Sequence, residues 1–438
     1  MMKGKVLSLG AAALLAGGAF LLSGQTNTAN AQDLLGVSFI ENVKPYLEFR
    51  PRYEYVDVDQ SGNKEANALT IRTKVGVNIG TVLGVNGLSA TLEAIDVSAL
   101  VDDYAPQKSG YETVLDPDNT RITQAYLAYK FGNYVFVAGR KYVIVDDHRF
   151  IGTVGWRQMP QSLGVLAVAG KPVQGLDFLL AGVYERKFVV DRENLDWHLD
   201  KMPIVLDVNY QVVPQLRIKG FAYLLTDIHN TYGVKASGKV SLGNGINISY
   251  LGEYAKQEDP YENDNFDKKP SRDTDYYRLK VGASAMGFFG NVMYTYFGDA
   301  GGANKGGFSV PLATNHKFDG WADVLLKGAA NGFKYGMKEL CLSVGYKNKT
   351  IGKFMVAYLT FDADKSQTEL GGSKDIGSEI DVLYTKKLTK RLSFLAKAAW
   401  YDADKGYVFT KYNGTNFTSV QYGRNDVTKY WLQLDYKY

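Results

Sequence analysis

Residues 427–438 read VTKYWLQLDYKY, and their alternation decides the fold. Tyr430, Leu432, Leu434, Tyr436 and Tyr438 alternate with Trp431, Gln433, Asp435 and Lys437. Successive side chains of a strand point to opposite faces, so this segment has one apolar, aromatic-ended face and one mostly polar face. A strand of this kind at the end of the sequence is the expected closing strand of an outer-membrane barrel. Its terminal aromatic reads as a signal for the barrel assembly machinery. Two consequences can be checked upstream: the other strands alternate as well, and the N-terminus carries an export signal.

Both expectations hold in the sequence. Lys3 and Lys5 precede an Ala/Leu/Gly-rich run from Val6 to Leu22, and Ala29-Asn30-Ala31 supplies a small-residue cleavage site. Residues 1–31 are therefore expected to be a cleaved signal peptide, and 32–438 the barrel. No later run of about 20 apolar residues offers a membrane-spanning helix. A mean hydropathy of -0.20 fits a barrel, because every outward apolar residue is diluted by an inward polar one. Aromatics make up 13% of the chain, with 46 Gly and only 11 Pro, a composition that favours strands and turns over helices or disorder.

Working back along the chain, the pattern is strand, turn, strand. Leu47, Phe49, Tyr53 and Tyr55 face one way in the first strand, and Glu48, Arg50, Arg52 and Glu54 the other. Gly132-Asn133 splits two further strands as a hairpin turn. Alternation and turn residues give about 18 antiparallel strands, with 16 as the alternative, since bacterial single-chain barrels prefer even numbers. Short turns alternate with long polar connections at 102–119, 257–273, 299–336 and 404–424, as expected of turns at one membrane face and loops at the other. No repeat of blade length supports a propeller. The fold class is thus an all-β transmembrane antiparallel barrel with loop inserts constricting its lumen.

If the apolar faces meet lipid, the polar faces line water. Parity places Arg50, Arg52, Arg72, Lys74, Arg140, Arg217, Lys219, Lys235, Lys239, Arg278, Lys280 and Lys397 inward, against fewer inward acids (Glu48, Glu54, Glu93, Asp207, Glu253, Glu379, Asp381 and Asp435). Rings of Arg and Lys lower the barrier for anions and raise it for cations. Chemistry-bearing motifs are not found. His148, His198, His229 and His316 lack ligand spacing, and Cys341 is the single cysteine, so neither a disulfide nor a Cys-based metal site is expected. There is no nucleophile elbow and no phosphate loop. The expectation is a non-enzyme without cofactor or metal, whose partners are outer-membrane lipid and small anionic solutes, with no nucleic acid. The Asp-Ala-Asp-Lys doublet at 362–365 and 402–405 reads as solvated strand ends.

Two irregular stretches stand out between strands. One is Gly139-Arg140 with Asp146-Asp147-His148-Arg149-Phe150-Ile151-Gly152 and Val154-Gly155-Trp156-Arg157-Gln158; the other is Pro311 to Asp323, reading PLATNHKFDGWAD. Long inserts of this kind either fold into a barrel or cap its mouth. Both resemble signatures of the alginate-export porins and their relatives in Gram-negative outer membranes, as does Gly377 to Asp404 through Gly377, Glu379, Ile380, Asp381 and Asp402-Ala403-Asp404. The resemblance runs patchily from Lys44 to Tyr438. It implies an 18-stranded monomeric barrel with a basic constriction selecting an acidic polysaccharide. Only Arg140, Arg149 and Arg157 lie within the matching motifs. Lys141 and Met159-Pro160 depart from them. The candidate lumen residues are Arg50, Arg52, Arg72, Lys74, Arg140, Arg149, Arg157 and Arg278. The functions expected are a porin for small anions, or alternatively an exporter of an acidic polysaccharide, or a plugged barrel acting as anchor or adhesin.

Overall fold

A computed structural model describes residues 40–190, 197–198, 202–260, 270–302, 305–412 and 416–438. The expected signal peptide, 1–31, lies outside the described residues, as does most of the acidic part of the 257–273 connection. Eighteen antiparallel strands form one closed wall: β1 (Ile40–Val58), β2 (Ala66–Val82), β3 (Leu88–Asp103), β4 (Asn119–Phe131), β5 (Tyr134–Lys141), β6 (Ser162–Gly170), β7 (Leu176–Lys187), β8 (Ile204–Val213) and β9 (Leu216–Leu225), followed by β10 (His229–Gly243), β11 (Ile246–Glu258), β12 (Asp273–Ala285), β13 (Phe288–Phe297), β14 (Met337–Asn348), β15 (Gly352–Asp362), β16 (Asp375–Lys387), β17 (Leu392–Ala403) and β18 (Val427–Lys437). The count is 18 and not 16. Closure is made by β18 on β1, with Arg52 opposite Gln433 and Val58 opposite Val427, and the Tyr438 amide donates to the Leu47 carbonyl at 2.9 Å.

Alternation controls which residues meet lipid. Leu92, Leu127, Leu166, Val234, Leu279, Val344 and Leu432 are exposed on the outer face. Phe131, Phe136, Tyr210, Phe288 and Phe354 ring the wall near its short-turn end, and Tyr184, Tyr254, Tyr358, Trp400 and Tyr430 toward its long-loop end. Two aromatic girdles around an apolar band are the signature of a wall that crosses a bilayer. No described helix is long and apolar enough to do so.

The long connections carry the fold's second layer. Residues 142–161, between β5 and β6, and residues 298–302 and 305–336, between β13 and β14, turn into the barrel, and the two inserts pair with each other. Gly152 donates its amide to the Leu312 carbonyl at 2.9 Å, and Thr314 to His148 at 3.1 Å. A Cβ on Gly152 would overlap the Thr314 hydroxyl, so the crossing needs glycine there. Phe150 then packs against Phe221, Tyr223, Tyr276 and Phe308, with ring centroids 5.0–6.2 Å apart. The main apolar core of this molecule therefore lies inside the barrel, between the inserts and inward wall residues. Burying a ring such as Phe150 contributes roughly 2–3 kcal/mol. The last long connection departs from a plain loop: Tyr407–Tyr412 and Phe417–Tyr422 form a separate hairpin beyond the wall.

Candidate functional site

The inserts meet the wall through charge. Arg50 and Arg72 stand directly opposite each other on β1 and β2, an arrangement that like charges disfavour. Carboxylates relieve it: Arg50 pairs with Asp435 at 2.6 Å, and Arg72 with Glu48. Lys74 reaches Glu93 at 3.4 Å. Arg52 pairs with Asp116 at 3.2 Å and donates to Gln433 and to the Trp156 carbonyl.

Arg157 is the centre of the network. It is held by Glu54 of the wall at 3.0 Å, by Asp323 of the second insert at 2.6 Å and by Asp116 at 3.7 Å. Burial works against its charge, but these three carboxylates raise its pKa above the ordinary arginine value. Asp323 also binds Lys429 at 3.3 Å and His316 Nδ1 at 2.6 Å, while Lys397 lies 2.7 Å from His316 Nε2. This arrangement fits a neutral imidazole that donates from Nδ1 and accepts at Nε2. Burial, reinforced by the Lys397 charge, pushes its pKa down to about 3. Trp156 stacks on the imidazole, centroids 4.6 Å apart, with Arg52 4.1 Å from the Trp156 ring centroid. Gly320, at φ 84°, lets the second insert lie against Glu379, which accepts the Ala322 amide at 2.8 Å.

On the opposite wall, Arg149 is buried in a bidentate pair with Asp319 at 2.8 and 3.0 Å and donates to the Tyr276 hydroxyl. Arg278 bridges Asp147 at 2.8 Å and Glu253 at 2.9 Å. Burial opposes ionisation of Asp147, yet Arg278 and Lys235 hold its carboxyl below the usual carboxylate range. Lys219 and Lys235 close on Asp207 and Asp146, each at 2.6 Å.

Seven of the eight candidate cations therefore face inward, and all eight have a carboxylate within ion-pair distance. Arg140 is the exception in direction, and the expectation that it lines the lumen is corrected. It pairs in register with Ala125 and Gly164, on the same alternation as the exposed Phe136 and Ala138, so it lies on the outer face. There it makes a bidentate pair with Glu185 at 2.9–3.0 Å, beside Tyr184 of the girdle.

Among the described residues, Lys239, Lys280, Lys317 and Lys353 take part in no ion pair. Lys239 and Lys317 are exposed, and Lys280 and Lys353 half-buried. Lys317 donates only to the Asp147 carbonyl, at 2.8 Å. Parity had already placed Lys239 and Lys280 inward; Lys317 lies in an insert, where no period exists to read. The partners Asp116, Asp319 and Asp323 escaped the sequence reading for the same reason.

No family model and no curated protein matches this chain. Solved structures do resemble it. OccK8 (OprE) of Pseudomonas aeruginosa superposes with a TM-score of 0.64 at 12% identity, over 91% of this chain and 99% of that one. OccAB2 of Acinetobacter baumannii does so with a TM-score of 0.66 at 16% identity, over 92% and 99%. OpdK of Pseudomonas aeruginosa, solved with vanillate, gives 0.63 at 12% identity, over 91% and 99%. The fold is that of these outer-membrane barrels.

Proposed function

We propose that this chain is an outer-membrane porin that passes small anionic solutes without catalysis or energy coupling. The observation that carries the reading is the split among inward cations. Arg52, Arg72, Arg149, Arg157 and Arg278 are buried against carboxylates where wall and inserts meet, whereas Lys239, Lys280, Lys317 and Lys353 take part in no ion pair among the described residues and leave their charge to the lumen. Arg50 and Lys74, paired yet partly open, add to that field. An unneutralised lysine favours an anion nearby and disfavours a cation in the same narrow passage. The barrel likeness to OpdK, solved with vanillate (an aromatic carboxylate), supports organic anions as solutes.

Export through the signal peptide at 1–31 and delivery by the barrel assembly machinery through the Tyr438 strand belong to the same proposal. The narrower reading, export of an acidic polysaccharide, draws on the resemblance of the inserts to the alginate-export porins. Arg149 and Arg157, the inward residues of those motifs, are buried in ion pairs, which favours small solutes over an extended polymer.

The test is a planar bilayer with a potassium chloride gradient. Lys280→Gln with Lys317→Gln is expected to lower the chloride-to-potassium permeability ratio several-fold, toward unity. A reversal potential identical to that of the unaltered protein would overturn the assignment of the field to these lysines.

A further inference from the structure

A cavity of about 780 Å³ opens inside the barrel beneath the first insert, at the short-turn end of the wall. Its lining is apolar where it is open to the lumen, unlike the inward apolar residues that the inserts cover. Lys130, Val135, Ala169, Leu179 and Asp207 are successive register partners across β4 to β8, so they form one inward row, and its middle three members are apolar. Ile144 of the insert joins them with half its surface exposed, an uncommon place for an isoleucine in a watery passage. Around this apolar floor stand Lys130 and Lys171, both exposed and in no ion pair among the described residues, and Arg217, which shares Asp177 at 2.6 Å and stays open to solvent. Lipid cannot account for apolar residues on the inward face, and Ile144 and Val135 are not fully covered by the core above them.

Resting on the reading of the barrel as an anion pore, we infer that this cavity is a solute subsite for a small amphiphilic anion. The acid group sits among Lys130, Lys171 and Arg217, and an apolar body of about ring size lies on Val135, Ile144 and Leu179. Such pockets take affinity from the apolar floor and orientation from the few charged groups. An inorganic anion or a short acid would use the cations and gain nothing from the floor.

Benzoate and acetate carry the same charge and differ by the ring, so they separate the two contributions. Saturation-transfer NMR on the full-length barrel refolded in detergent is expected to show benzoate bound about tenfold more tightly than acetate. Val135→Thr with Ile144→Asn is expected to erase that preference, as is Ile144→Asn alone in large part, at an exposed position where folding is not at stake. Lys130→Gln with Lys171→Gln should weaken both acids alike. Equal binding of benzoate and acetate to the unaltered barrel, or a preference that survives Val135→Thr with Ile144→Asn, would overturn the subsite. Binding is read without current, so it judges the subsite even in a barrel that does not conduct. Reversal potentials judge the anion pore separately.

Discussion

Arg157 touches Glu54, Asp116 and Asp323 with almost no water to share them. Removing one member of a buried ion cluster leaves the others uncompensated, at a cost of about 3–5 kcal/mol. Arg157→Ala is expected to lower the free energy of unfolding by that amount, read as a lower denaturant midpoint at unchanged slope, and an unshifted midpoint would show that the inserts do not depend on it. His316 gives the pH dependence. Its pKa is depressed from 6.5 to about 3, so the unfolded chain binds the proton more readily than the native one. The stability it protects is complete above 6.5 and is lost as pH falls toward 3. Burial works against ionisation of Asp323, yet the His316 hydrogen bond and the Lys429 and Arg157 charges hold its carboxyl well below the usual carboxylate range, so its contribution is lost in the acid range as well. Thermal midpoints should therefore decline as pH falls below 6.5, with the upper part of the decline absent in His316→Gln. The parity of Glu54, Arg52 and Gln433 was legible, because a strand's period is two. That Arg157 would find Glu54, 103 positions away, was not, because nothing local encodes it.

The two inserts and β5 show where pattern reading ends. Their irregular composition marked them as inserts, but inward folding and mutual pairing depend on Gly152 meeting Thr314 and on Phe150 meeting Phe221. In β5, Val135 and Val137 alternate with Phe136 and Ala138, so both faces are apolar and the strand offers no polar face from which to orient Arg140. Parity alone placed the residue inward, whereas its register partners put it outward. In β14 the pattern was unambiguous, and Cys341 lies inward, half-buried, with Met293 between it and Lys280 in register. A negatively charged methanethiosulfonate reagent should label this thiol about fivefold faster than a positively charged one and reduce conductance. Equal rates would place the lysine field elsewhere.

At the scale of the molecule, the barrel was the most readable part, since eighteen repetitions of one period average out local errors that a single insert cannot. Its contents also bear on how it is made. The strands that meet at the seam are the first and last of the wall, and both reach the inserts: Arg52 and Glu54 from β1, Lys429 and Trp431 from β18. A wall that zipped shut with the inserts outside would strand these buried charges, at a cost comparable to the stability of a whole domain. Seating the inserts and closing the seam thus become a single event, and the cargo of loops serves as a proofreader that lets only a correctly filled barrel stay closed.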